Sequence, residues 1–324
     1  MTEVEKNERA SNETVDQLIQ KLIDNLNSVI VGAPETIKLL VCSFIASGHV
    51  LLEDRPGVGK TALAKALASS LSVGFNRLQF TSDLMPSDVT GSLIWKPQNG
   101  DLEFRKGPIF TNILLGDELN RASPRVQSAL LEAMNESHIS IDGNTHILED
   151  PFFFIATQNP FDDAGCYPLP NAQLDRFMVR LEMGYPESVS EINLLNARLK
   201  SESIPRLKSV VSSEQAMSLR SVIERIKIDE SLIKWLVNFA NTSREDRDCN
   251  HGLSPRALLH MCAMVRALAL TEKRQWVEPE DIECLLVPVF AHRVSTRVRS
   301  SSFSKIEDQT AQLDTWLANC PLPV

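Results

Sequence analysis

Apolar residues recur at helical spacing at Val15, Leu18, Ile19, Leu22 and Ile23, and again at Ile37, Leu39, Leu40 and Phe44. Intervals of three and four put each set on one helix face, and Gly32-Ala33-Pro34 separates the two helices. The pattern then changes. His49–Glu53, Ile113–Leu115 and Phe152–Ala156 are short apolar runs, each followed by polar residues. Such runs predict strands buried on both faces of a parallel sheet. A helical pattern over Lys60–Leu71 follows the first of them. Strands alternating with helices across residues 49–181 therefore predict an α/β fold with a parallel sheet.

Two segments interrupt the alternation. Ser92–Lys96 and Asp101–Phe104 flank Gln98-Asn99-Gly100, and His138–Ile141 and Asn144–Ile147 flank Asp142-Gly143. Both read as β-hairpins. Beyond Tyr185-Pro186 the strand patterns stop, and Ile233–Ala240, Pro255–Leu270 and Glu280–Val287 read as helices. The expected organisation is a polar N-terminal tail (1–14), an α/β domain with hairpin inserts (15–185) and an all-α domain (186–324).

Composition narrows the class. With 43% hydrophobic residues, 13 glycines and 17 prolines in 324 residues, the chain is neither disordered nor of low complexity. It has no apolar run long enough for a membrane span, and its polar N-terminus lacks a signal core, so a cytoplasmic location is expected. The formal net charge of −9 lies wholly in residues 1–185. That acidity counts against a nucleic-acid partner, because phosphate neutralisation needs a basic face. The six cysteines form no CxxC pair and read as reduced thiols.

Candidate chemistry begins between the first strand and its helix, at Asp54-Arg55-Pro56-Gly57-Val58-Gly59-Lys60-Thr61-Ala62. A loop of this kind turns backbone N–H groups inward, and the following helix adds its positive end, which together bind phosphate. Lys60 supplies a cation for the outer phosphates, and the Thr61 hydroxyl suits magnesium. Asp54 stands where the G-x-x-x-x-G-K-[ST] pattern has its first glycine. Its charge is expected to weaken nucleotide binding unless it points outward or pairs with Arg55. Two other readings stay open on the loop alone. One is a strand–helix turn without a ligand. The other is a dinucleotide fingerprint over Gly57, Gly59 and Ala62, which Lys60-Thr61 and the want of an acidic residue closing the next strand oppose.

Asp117 and Glu118 end the strand Ile113–Gly116, at the sheet edge where parallel sheets bind ligands. Asp117 would hold magnesium and Glu118 would act as general base on the attacking water. Asn159, after the strand Phe152–Ala156, could orient that water or simply open an Asn-Pro turn. Arg176 follows Leu174-Asp175, and Arg256 lies in the first turn of a helix capped by Ser254. Either arginine alone reads ordinarily as a surface ion pair.

Taken in order, nine blocks resemble the AAA+ ATPases, and among them the MoxR family. They are Val50–Thr61, Asp88–Gly91, Gly107–Phe110, Asp117–Ala122, Gln127–Met134, Ile155–Pro160, Gln173–Phe177, Ser254–Ala257 and Val287–Arg293. The resemblance covers nearly the whole chain. It implies an AAA+ core followed by a helical lid, with ATP and Mg2+ bound between them. By resemblance Lys60 and Thr61 are Walker A, Asp117 and Glu118 Walker B, Asn159 sensor 1, Arg176 the arginine finger and Arg256 sensor 2. It further implies a homo-oligomeric ring, hexameric in the family, in which Arg176 completes a neighbour's site while Arg256 touches the phosphates from the lid. Client proteins would be remodelled or activated, with a von Willebrand factor A domain protein as partner. Trp95 and Phe104 of the first hairpin are the candidates for client contact. Gly116 departs from the family's usual alanine. The competing readings are an ATP-binding scaffold without turnover and a nucleic-acid-dependent motor, which the acidic front half opposes.

Overall fold

The computed structural model describes residues 3–97, 100–159, 166–186, 188–199, 207–296 and 302–323. Helix α1 (Glu3–Asn27) begins inside the stretch expected to be a tail, since no glycine or proline interrupts it before Val15. Helix α2 (Pro34–Ile45) starts on the proline that separates the pair. Strand β1 (Val50–Glu53), helix α3 (Lys60–Leu71) and strand β2 (Phe75–Gln79) follow as the alternating pattern predicts. The short α4 (Pro86–Thr90) leads into the first hairpin, β3 (Gly91–Lys96) and β4 (Asp101–Lys106). Its expected turn residues Gln98 and Asn99 lie outside the described residues, as does Pro160.

Strand β5 (Ile113–Asp117) and helix α5 (Pro124–Glu136) precede the second hairpin, β6 (His138–Ile141) and β7 (Asn144–Ile147). Then come β8 (Phe153–Gln158), the single turn α6 (Asn171–Leu174) and β9 (Val179–Leu181). Five strands form one parallel sheet in the order β2-β5-β8-β1-β9. The register sets Leu52 beside Thr157 and Gly116 beside Ala156, so the C-terminal ends of β1, β5 and β8 share one edge.

Why these strands lack alternation is visible in the packing. Ile113, Leu115, Phe153 and Ile155 enter a core cluster with α1, α2 and α3. Their neighbours Leu114, Phe154 and Ala156 enter a second cluster with Val126 and Leu130 of α5. Both sheet faces are buried at β5 and β8, so Ile113–Leu115 and Phe153–Ala156 are apolar at every position. Gly116 has a specific reason. A Cβ there would lie 2.7 Å from ring atoms of both Phe80 and Phe154, closer than carbon atoms can approach.

After β9 come α7 (Ser188–Leu199), α8 (Ser213–Val222), α9 (Glu230–Glu245), β10 (Cys249–His251), α10 (Pro255–Thr271), α11 (Pro279–Phe290), β11 (Ser295–Thr296) and α12 (Ser302–Asn319). This part is mostly helical, as expected, but β10 pairs antiparallel with β11. Strands of two and three residues are too short to show a period, so the sequence pattern passes over them. The first core cluster continues from α1 and α2 into Met264, Leu285, Phe290 and Trp316 of the helical part. Among the described residues no helix is long and apolar enough to cross a membrane.

Candidate active site

The loop after β1 is shaped by Gly57 and Gly59, whose φ angles of 90° and 101° lie in the left-handed region that favours glycine. Gly59 opens α3, and no side chain caps that end. The first N–H groups of α3 are therefore offered to an external acceptor, with the helix dipole behind them. Lys60 Nζ donates to the Asp54 carbonyl at 2.6 Å. Burial pushes the Lys60 pKa down, while the negative charges of Asp54, Asp117 and Glu118 act to raise it. Asp117 and Glu118 follow on the same sheet edge, at the end of β5.

Asp54 does not aim its carboxylate at the phosphate cradle. Oδ1 accepts from the Arg55 N–H at 2.7 Å, and Oδ2 accepts from the N–H groups of Met183 and Gly184 at 2.7 and 2.8 Å. Arg55 turns the same way, donating to the Tyr185 hydroxyl at 3.4 Å with its guanidinium over the Tyr185 ring. The outward orientation is the one under which the aspartate is compatible with phosphate binding. A residue expected to disturb the loop instead ties it to the segment leaving β9.

Asp117 is buried at the end of β5. Its Oδ1 accepts from the Thr157 hydroxyl at 3.2 Å and its Oδ2 from Arg77 Nε at 2.5 Å. The same Thr157 oxygen accepts from the Glu118 N–H at 3.0 Å. One threonine on the neighbouring strand therefore aligns both acidic residues. Glu118 has a left-handed backbone (φ 58°), which turns the chain out of the strand. Its carboxylate pairs with Arg121 Nε at 2.8 Å. Asn159 stands just past Gln158, the last residue of β8, on the strand between β5 and β1.

The two arginines form a separate group around Asp175. Arg176 donates from Nη1 to the Leu131 carbonyl of α5 at 2.9 Å. Ser254 caps α10 as expected, accepting from the Ala257 N–H at 3.1 Å, and its hydroxyl also donates to Asp175 at 2.8 Å. Arg256 Nη1 lies 3.5 Å from Asp175 Oδ2. Burial lowers the Arg176 pKa, and the nearby Arg256 cation lowers it further. Arg256, expected against the phosphates of its own cleft, rests on Asp175 in this structure. Sequence spacing fixes its place in the first helical turn but not the face on which the helix docks.

Thr157, Arg77, Arg121 and Asp175 were not singled out in the sequence. The first two act across neighbouring strands, a relationship that only sheet order creates. Arg121, three residues beyond Glu118, was in principle legible from spacing.

The hairpins meet through Phe104 and His146, stacked with ring centroids 4.0 Å apart, with Phe110 edge-on to both. Cross-strand pairing sets Leu93 with Phe104 and Trp95 with Leu102 on one face. The inner pair packs; Trp95 and Leu102 remain 57% and 58% exposed.

Residues 49–179 match the family model described as "ATPase family associated with various cellular activities (AAA)", and residues 241–315 match the AAA lid domain. The chain is 42% identical over 285 residues to the uncharacterized protein YeaC of Bacillus subtilis, covering 88% of this chain and 89% of that protein. It is 35% identical over 285 residues to chaperone MoxR1 of Mycobacterium tuberculosis, covering 85% and 75% respectively. A crystal structure of a provisionally assigned ATPase from Cytophaga hutchinsonii superposes with a TM-score of 0.88 at 31% identity, over 98% of this chain and 99% of that one.

Proposed function

Because this chain belongs to the MoxR family of AAA+ ATPases, we propose that it hydrolyses ATP as an oligomeric ring and uses the cycle to remodel or activate client proteins. The observation that carries the reading is the common sheet edge on which the Lys60 loop follows β1 and Asp117 and Glu118 end β5, beside the uncapped start of α3. The helix end and Lys60 bind the outer phosphates. Glu118 takes the proton of the attacking water, and Asn159 orients that water. To do so Glu118 must leave Arg121.

Thr61 and Asp117 offer a hydroxyl and a carboxylate, hard oxygen donors of the kind magnesium takes together with phosphate oxygens and water. When bound, the ion neutralises charge between the phosphates.

Arg256 rests on Asp175, the residue next to Arg176, so the two cations lie close together. We assign both to the site of the adjoining subunit, where an arginine is worth roughly 10³–10⁵ in rate. Ring assembly then makes the active site. The turned-away Asp54 carboxylate removes the main reason to prefer a non-hydrolysing scaffold. Trp95 and Leu102 supply an exposed apolar pair for clients or for a von Willebrand factor A domain partner, whereas Phe104 is spent on packing.

The test is phosphate release measured across protein concentrations that span assembly. Specific activity should rise steeply as the ring forms. A monomer turning over at full rate would remove the shared-site reading, and DNA-stimulated turnover at physiological salt would favour a nucleic-acid motor.

A further inference from the structure

Arg293 follows α11 in a single 3-10 turn and is 5% exposed. Its guanidinium reaches back to the α/β part on both sides of Arg176. Nε donates to Asp175 Oδ1 at 3.1 Å, and Nη2 donates to the carbonyls of Asp175 at 3.2 Å and Phe177 at 2.7 Å. Nη1 donates to the Val289 carbonyl of α11. Nη2 also lies 2.5 Å from His260 Nδ1. Burial pushes the Arg293 pKa down to about 10 while Asp175 acts to raise it, so the group stays charged at neutral pH. Burial and then the Arg293 charge push His260 down to about 3, which leaves its imidazole neutral and able to accept.

A charged guanidinium this deep holds its geometry closely, since each lost bond would strand a buried donor. What it holds is the backbone on either side of Arg176 and the carboxylate on which Arg256 rests. We propose that Arg293 is a positioning residue for the Arg176–Arg256 pair, by which the helical part sets the aim of the arginines donated to the neighbouring subunit. This rests on the reading that Arg176 completes a neighbour's site. Arg293 itself touches neither nucleotide. A change in how the helical part sits would be delivered, through one side chain, to the next subunit's chemistry.

Mixed rings of full-length protein separate this from a purely structural role. Arg293→Met alone should lose about 10²-fold in turnover, the scale of a misplaced catalytic group, with nucleotide affinity unchanged because its own cradle is intact. Mixed with Glu118→Gln, it should recover activity, since an Arg293→Met subunit keeps Lys60 and Glu118 and receives well-aimed arginines from its partner. Mixed with Arg176→Ala, it should recover none, because neither variant donates properly. The control mixture is Arg176→Ala with Glu118→Gln. If the control recovers and the Arg293→Met mixture does not, Arg293 serves only its own subunit and the proposal falls while the shared-site reading stands. Failure of the control overturns both. Full activity of Arg293→Met alone also overturns the proposal. Should Arg293→Met not fold, Arg293→Lys keeps the charge but cannot reach Asp175 and the Phe177 carbonyl together, and its mixtures must give the same pattern or the proposal fails.

Discussion

The carboxylate of Asp54 holds the backbone N–H of Met183 at 2.7 Å, joining the phosphate-binding loop to the segment that leads from the sheet into the helical part. The adjacent Gly184 N–H shares the same oxygen. Replacing Asp54 by glycine would restore the usual loop pattern yet leave these donors without their anion. We expect Asp54→Gly to lose about 1–2 kcal/mol of stability and to gain no nucleotide affinity. Asp54→Asn, which keeps an acceptor oxygen, should stay nearer the parent. Nucleotide titration beside chemical denaturation decides it; tighter binding by Asp54→Gly would show that the charge does oppose phosphate after all.

Gly116 gives a prediction opposite to the one its family suggests. Alanine is usual there, but the rings of Phe80 and Phe154 occupy the space a methyl group needs. Gly116→Ala should therefore destabilise the protein by about 1–3 kcal/mol through overpacking. Adding Phe80→Leu should return part of that loss. Urea midpoints of the single and double variants are the measurement.

Glu118→Gln keeps the shape of the side chain and removes its basicity. Turnover should fall by about 10²–10⁴, while ATP binding persists and the assembled form lasts longer. Phosphate release, equilibrium binding and size-exclusion profiles read the three effects separately. Undiminished turnover would take Glu118 out of the mechanism.

The hairpins separate a structural aromatic from an available one. Phe104→Ala removes the stack on His146 and should cost about 1–3 kcal/mol. Trp95→Ala should move stability by less than about 0.5 kcal/mol, as at other exposed sites, and leave basal turnover unchanged. It should weaken capture of client protein. Equal client capture by the parent and Trp95→Ala would place the contact elsewhere.

Buried neutral histidines set the acid limit. His49 Nε2 faces the Met134 carbonyl at 3.0 Å and its Nδ1 accepts from the Phe154 N–H at 3.1 Å, so the folded state holds it uncharged. Burial pushes its pKa down to about 4, and His292 is likewise pushed well below its ordinary value, chiefly by burial. An unfolded histidine titrates near 6.5, so below that pH the unfolded chain takes up protons that the folded chain refuses. The stability tied to His49, about 3 kcal/mol, is complete above pH ~6.5 and is lost as pH falls toward 4. Thermal melts should show a steady decline over that range. His49→Gln, which cannot titrate, should flatten it.

The loop after β1, the candidate phosphate cradle, was legible in the sequence because all its determinants are local: two glycines, a lysine and a hydroxyl packed into one strand–helix turn. So were the buried strands, since an apolar run of four or five residues has no polar face to turn toward water. The hairpins declared themselves by alternation around short turns. Residues 3–14 carry a helix that their apolar pattern does not announce, because polar composition does not forbid one. The β10–β11 pair escaped because so few residues carry no period.

What the sequence by itself determined, then, was the kind of element at each place and the chemistry available at each strand end. Only the tertiary structure decided which side chains answer one another. Thr157 aligns Asp117 and Glu118 because sheet order sets β8 beside β5, although Thr157 stands 40 positions beyond Asp117 in the chain. Asp54 faces Met183 rather than the phosphates because β9 ends beside β1. Arg293 brackets Arg176 because the helical part docks on that edge. Hydrogen bonds and ion pairs act over a few ångströms of space, and separation along the chain says little about which groups the packing of two apolar faces will bring that close.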